Sequence, residues 1–217
     1  MSTLEFWKAS LPDMFGGLGV SLQLTLLALL LGLPIGLVLA VTSSAKAKTL
    51  RWITIAIVEV GRGAPAPVVL YVVYFGLPVL ELTPSAYVCA VMGLTYTTAA
   101  YTAEYIRGGL KSVNAGSIEA GHALAMSQMD VLRFIIVPQG LRVALPSLMG
   151  FAVLIFQATS LTYSITVSEL TAVATSISSS SFRALEFFAL AGLIYAAITL
   201  PASWATNRVD QLLSARY

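Results

Sequence analysis

The chain has 217 residues, of which 58% are hydrophobic and only 10% charged, with a formal net charge of +2 and a mean hydropathy of +0.86. A soluble domain carries about 25% charged residues, so the composition excludes an ordinary soluble enzyme and a nucleic-acid binder and points to a protein that crosses a membrane several times. One cysteine excludes an internal disulfide, the only histidine (His122) has no cluster of metal ligands around it, and no nucleophile elbow, phosphate-binding loop or dinucleotide fingerprint occurs, so no metal or cofactor is expected on this chain.

Residues 14–45 contain no charge, and the apolar stretch 18–41 is long enough to cross about 30 Å of hydrocarbon as a helix. It lacks a basic leader and is longer than a signal-peptide core, so it reads as a retained span. Gly32, Pro34 and Gly36 in its second half predict a bend or a close helix contact. The following loop carries Lys46, Lys48 and Arg51 and no acid. A second span is expected at 52–75. Arg62 lies ten residues beyond Trp52, or roughly 15 Å at the helical rise, near the midplane, where an ionisable group marks a functional site by default. Glu59 stands three residues before it on the same face. The pair reads either as an ion pair locking the helix to its neighbours or as a direct substrate contact. Pro65 and Pro67 remove two backbone donors just beyond, which predicts a broken or kinked helix beside a cavity.

A third span is expected at 86–105, ending in Glu104 and Arg107, which read as a register-fixing salt bridge. The segment 112–140 is the longest that cannot sit in lipid. Its first part, 117–126, reads as a short helix with Ile118, Ala125 and Met126 near one side and Glu119 in the first turn, where a carboxylate suits the positive end of the helix dipole. Ser127 and Asp130 have the spacing of a capping box for a second short helix, with Val131, Phe134 and Ile135 on its apolar face and Pro138 at its end. A fourth span is expected at 145–167. Its Gln157 lies at the depth of Arg62, so the two are expected to share a cavity, with Thr159, Ser160 and Ser164 following. The Ser-rich stretch 171–181 reads as an outer loop or short re-entrant turn, 184–204 as a fifth span, and 211–217 as a short tail.

Orientation follows from the basic residues. With the N-terminus outside, Lys46, Lys48, Arg51, Arg107, Lys111, Arg133, Arg142, Arg208 and Arg216 fall on inner segments and only Lys8 and Arg183 on outer ones. The positive-inside rule therefore puts the 112–140 segment and the C-terminus in the cytoplasm.

The run Glu119-Ala120-Gly121, then Ala123-Leu124-Ala125, Ile136-Val137-Pro138 and Leu145-Pro146 resembles the EAA loop of ATP-binding-cassette importer permeases of type I. Position 121 is Gly where that family usually has Ala, and position 125 is Ala where it usually has Gly. Arg62-Gly63-Ala64-Pro65, Tyr74 to Pro78 and Tyr101 to Gly109 are similar to segments of its polar amino-acid group. The resemblance implies an all-α membrane protein, one transmembrane domain over 1–217 with five spans, in the bacterial inner membrane. It implies that Glu119, Ala120, Gly121, His122, Ala125 and Met126 dock on a cytoplasmic ATPase dimer that holds the ATP and Mg, and that an extracytoplasmic protein delivers substrate. It also implies a pore of two permease subunits, with Glu59, Arg62, Gln157, Thr159, Ser160 and Ser164 along the substrate path. Where the family has Lys-Asp or Lys-Asn before Thr-Ser-Leu, this chain has Gln157-Ala158. Three explanations stand open: a heterodimer in which this is the non-binding half, which is favoured, an unusual amino-acid derivative as ligand, or binding by Glu59 and Arg62. The competing class is an ATP-independent carrier or channel, which the coupling loop argues against.

Overall fold

The computed structural model describes residues 3–214. Arg216, counted above among the inner basic residues, lies outside them, as does the end of the tail. The described residues are mostly helical, joined by short turns, with no strand among them. In order the helices are α1 Thr3–Thr42, α2 Lys48–Gly63, α3 Ala66–Gly76, α4 Ala86–Lys111, α5 Ala115–Ala123, α6 Gln128–Val131, α7 Val137–Ala158, α8 Leu170–Ser181 and α9 Ala184–Ser214. Short 3-10 turns follow α3 (Leu77–Leu80) and α7 (Thr159–Ile165), and a π-turn (Leu132–Ile136) joins α6 to α7.

Glu5–Thr42, Gln128–Ile165 and Ala184–Leu213 are long and apolar enough to cross a membrane by length and composition, and a fourth such stretch exists if α2 and the helix after it count together. The expected second span is not one straight helix. The chain bends by 108° between its two halves, because Pro65 and Pro67 supply no amide hydrogens and the residue before a proline disfavours the helical region. Ala64, just before Pro65, is extended. The segment expected as a third span forms α4, which is not among these stretches; it runs on to Lys111 and forms the centre of the molecule, with α1, α2, α3 and α7 packed around it.

Small residues permit this packing. A side chain at Gly36 would collide with the Thr102 hydroxyl of α4, so α1 passes close to α4 with its helix unbroken at Pro34. Thr98 and Thr102 donate their hydroxyls to carbonyls one turn back, each at 2.7 Å, so that Thr98 meets Gly32 of α1 with its methyl group and Thr102 meets Gly36 with a hydroxyl already satisfied on its own helix. At the α5 end of the bundle, Gly109 and Gly140 let α4 and α7 touch backbone to backbone. One apolar cluster joins Leu24, Leu70, Leu94, Phe151 and Ile155, and a second joins Met14, Leu18, Phe156, Leu170 and Phe187.

Three expectations need correction. Pro138 does not end a helix, because it sits in the first turn of α7. The π-turn ahead of it, closed by Val137 N–H on Leu132 O, widens the backbone where the proline ring would meet the carbonyl four residues back. The Ser-rich stretch is helix α8, not a loop: Ser178, Ser179, Ser180 and Ser181 all bond back to carbonyls at Thr175 or Ile177, and Glu169 caps its start. Finally, the first short helix of the polar segment begins and ends earlier than expected, at Ala115 and Ala123, which leaves Ala125 and Met126 outside it.

Candidate functional site: a charged ladder, a cavity and an exposed small-residue helix

The Glu59–Arg62 and Glu104–Arg107 pairs, expected to be separate, form one ladder. Arg62 reaches Glu59 Oε1 at 3.3 Å on its own helix and Glu104 Oε2 at 3.7 Å on α4. Arg107 grips Glu104 through its Nε at 2.9 Å and through a second guanidinium nitrogen. Charges alternate along the ladder, so each carboxylate and guanidinium has an opposite neighbour, as partly enclosed charges require. Glu59 is the exposed end, its side chain 64% accessible against 33% for Arg62. Tyr96 and Tyr101 of α4 complete the attachment by donating to the Ile57 carbonyl at 2.9 Å and the Arg62 carbonyl at 3.2 Å. The second of these carbonyls is free because the helix breaks beyond it.

Beside the break lies a cavity of about 330 Å³ lined by Arg62, Ala64, Pro65, Thr97, Tyr101 and Ala158 among others. The Thr97 hydroxyl is buried there without a hydrogen-bond partner among the described residues. Thr97 went unremarked in the sequence because a threonine in an apolar span usually satisfies itself on its own helix, as Thr98 and Thr102 do. Gln157 is exposed and does not line this cavity, whereas its neighbour Ala158 does. Thr159 is buried and donates to Phe156 O at 2.7 Å, and Ser164 to Leu161 O at 2.7 Å, so both hydroxyls serve their own helix. Ser160 is half-buried.

Glu169 belongs to no motif that the sequence singles out. It is fully buried, accepting from the Thr171 and Ala172 amides at 2.8 and 2.9 Å, from the Tyr195 hydroxyl at 2.9 Å and from Ser21 at 3.4 Å. It thereby ties α1, α8 and α9 together. Burial pushes its carboxyl above the usual carboxylate range, against the four donors that pull it down.

The polar segment between α4 and α7 is locally well determined. Asn114 caps α5 by accepting from Gly116 N–H at 2.7 Å. The Ser127–Asp130 capping box forms in both directions, at 3.1 and 3.3 Å. Glu119, Ala120, His122 and Ala125 are exposed. Gly121 is buried against Val131 and Ile135, 3.1 Å or less from where its β-carbon would stand, so glycine at this position brings α5 close to the next helix. Past α5 the chain turns through Ala125 at φ 58°, with Met126 N–H on Gly121 O and Ala125 N–H on His122 O. This is a Schellman motif, whose left-handed position favours glycine. Phe134, expected on an apolar packing face, is 61% exposed, and with Leu124 at 79% and Met129 at 68% it gives the segment apolar projections that periodicity did not single out.

The family model of binding-protein-dependent transport system inner membrane components matches residues 32–215. The chain is 37% identical to the octopine transport system permease protein OccM of Rhizobium radiobacter, over 79% of this chain and 80% of that one. It is 35% identical to the probable amino-acid ABC transporter permease protein YckA of Bacillus subtilis, over 93% and 89%. A crystal structure of an amino acid ABC transporter with histidines superposes at TM-score 0.89 with 29% identity, covering 97% of this chain and 98% of that chain. With the family match spanning most of its length and a helical fold that superposes on a solved transporter, the chain belongs to the binding-protein-dependent transport system inner membrane components and has the type I ABC importer permease fold.

Proposed function

We propose that this chain is the membrane-spanning subunit of an ATP-driven importer for a polar amino acid or amino-acid derivative, working by alternating access. The observation that carries this is helix α5: capped at both ends, built of small residues, exposing Glu119, Ala120 and His122, and seated through Gly121 on α6 and the π-turn that leads into α7. Such a helix can fit a groove on a partner and pass its displacement to α7 as a rigid unit. The partner is a pair of cytoplasmic ATPases, which carry the ATP and Mg, and Ala125 and Met126 belong to the same docking surface. The name of YckA supports the amino-acid class, and because that name is of an ABC transporter permease protein the ATP-independent carrier is the disfavoured reading.

In this reading the chain is one transmembrane domain with five spans, near 18–41, 52–75, 86–105, 145–167 and 184–204, with the N-terminus outside. An extracytoplasmic protein delivers substrate. The cavity beside Arg62 belongs to the pathway, with the Thr97 hydroxyl and the Arg62 guanidinium among its polar groups; Glu59, Gln157 and Ser160 belong to the pathway outside that cavity, and Thr159 and Ser164 shape it through the turn their hydroxyls close. Glu104 and Arg107 hold α2 to α4. A second, homologous permease subunit completes the pore, and the loss of charge at Gln157-Ala158 favours a heterodimer. Glu119→Arg is the test: membrane insertion stays intact and ATP hydrolysis becomes uncoupled from uptake, whereas normal uptake in that variant refutes the coupling role. Mass spectrometry of what co-purifies with the chain separates heterodimer from homodimer.

A further inference from the structure

A groove of about 390 Å³ runs between α1, α7 and α9, and its exposed lining is almost wholly apolar, from residues such as Leu22, Met149, Val153, Ala202 and Ala205. It lies on the side of α7 opposite the Arg62 cavity. Met149, Ala152, Val153 and Phe156 line the groove, and Phe151, Leu154, Ile155 and Ala158 line the cavity; at 100° per residue these sets occupy opposite faces of one helix. A partner subunit that closes the cavity therefore leaves the groove facing lipid. Seven residues before Met149, on the same face, stands Arg142, exposed and with no ion pair or hydrogen bond among the described residues.

We infer that the groove holds one acyl chain of an anionic phospholipid whose headgroup phosphate rests on Arg142. The dimensions agree. From Leu145, where the hydrocarbon is expected to begin, to Phe156 is eleven residues, or roughly 16 Å, which is half of a core about 30 Å thick and so the depth of one leaflet. Arg142 lies one helical turn outside that boundary, at headgroup level, where a basic side chain attracts an anionic lipid and its stem can lie along the apolar surface. Trp204, 71% exposed near the same end of α9, has the amphipathic ring that favours this interface. The inference rests on the reading of α7 as a span and not on which substrate is carried.

The test uses the full transporter purified with its accompanying subunits, stripped of lipid and supplied with phosphatidylglycerol and phosphatidylcholine of identical acyl chains. Native mass spectrometry counts the lipid retained. The expected result is roughly a five-fold preference for phosphatidylglycerol, the size of one basic group beside an anionic headgroup. Arg142→Gln abolishes that preference, and Arg208→Gln, on a different face of α9 by its register, leaves it intact. Ala202→Leu, which fills the groove, lowers retention of both lipids. Unchanged preference in Arg142→Gln overturns the inference, as does cross-linking of two permease chains through groove positions. Arg142 is exposed and unpacked, so its substitution reads out even if Ala202→Leu misfolds. ATP-driven uptake by the same preparations reports separately on the importer reading.

Discussion

Ala125 occupies a left-handed position, φ 58°, in the Schellman turn that closes α5, and Ala125→Gly should stabilise that turn. An L-residue in this region costs about 1–2 kcal/mol through its β-carbon. Glycine removes that cost but gives back about 0.4–1 kcal/mol in extra freedom of the unfolded chain, for a net gain of about 0.5–1 kcal/mol. Ala125 is exposed, so no packing is lost with its methyl group. The gain is local and should appear in the amides that make the turn: Leu124 N–H on Ala120 O, Ala125 N–H on His122 O and Met126 N–H on Gly121 O. Hydrogen exchange of the purified transporter should show those amides about two- to five-fold better protected in Ala125→Gly, with α9 amides unchanged. Ala123→Gly, at the last residue of α5, should move the same amides the other way, since glycine inside a helix costs up to about 1 kcal/mol. Unchanged or weaker protection in Ala125→Gly would mean that the residue does not hold the left-handed conformation and that the helix end is built differently.

Gly140→Ala should destabilise the α4–α7 contact by about 1–3 kcal/mol, because its β-carbon would stand 2.8 Å from the Leu110 α-carbon and backbone would have to move; an unchanged melting temperature in detergent would refute this. Arg62→Ala should lower substrate affinity or transport by roughly ten-fold and Glu59→Ala much less, since Glu59 is the exposed end of the ladder; equal and wild-type activity in both would make the ladder purely structural. Glu169→Gln should cost about 1–3 kcal/mol by leaving a buried donor unsatisfied. Because burial raises the Glu169 carboxyl in the fold, the folded state holds this proton more tightly than the unfolded chain. Wild-type stability should therefore fall as pH rises from the ordinary carboxylate range through the raised value, and a thermal-shift series across weakly acidic pH should lose that slope in Glu169→Gln.

The sequence by itself determined whatever depends on neighbours along the chain. Apolar run lengths gave the membrane-crossing character, the Ser127–Asp130 spacing gave the capping box, and two prolines gave the break after Gly63, because bilayer thickness, cap geometry and a missing amide hydrogen are all local constraints. The polar segment 112–140 was legible for the same reason, although the helical stretch from Gln128 onward is apolar enough to continue into a membrane span. Tertiary structure decided what depends on distant partners. Arg62 meets Glu104 only because Gly61 lets α2 lie against Ala100 and Tyr96, and no spacing along the chain encodes that contact. Thr97 and Thr98 are adjacent and chemically alike, yet only the first lies unpartnered by the cavity, a matter of which way α4 faces its neighbours. The serines of α8 became helical once Glu169 was buried between Ser21 and Tyr195, since a residue with weak intrinsic preference takes the conformation its capped and packed ends impose. Pro138 was overruled by a wider π-turn, which keeps α7 continuous where local rules alone would have ended the helix.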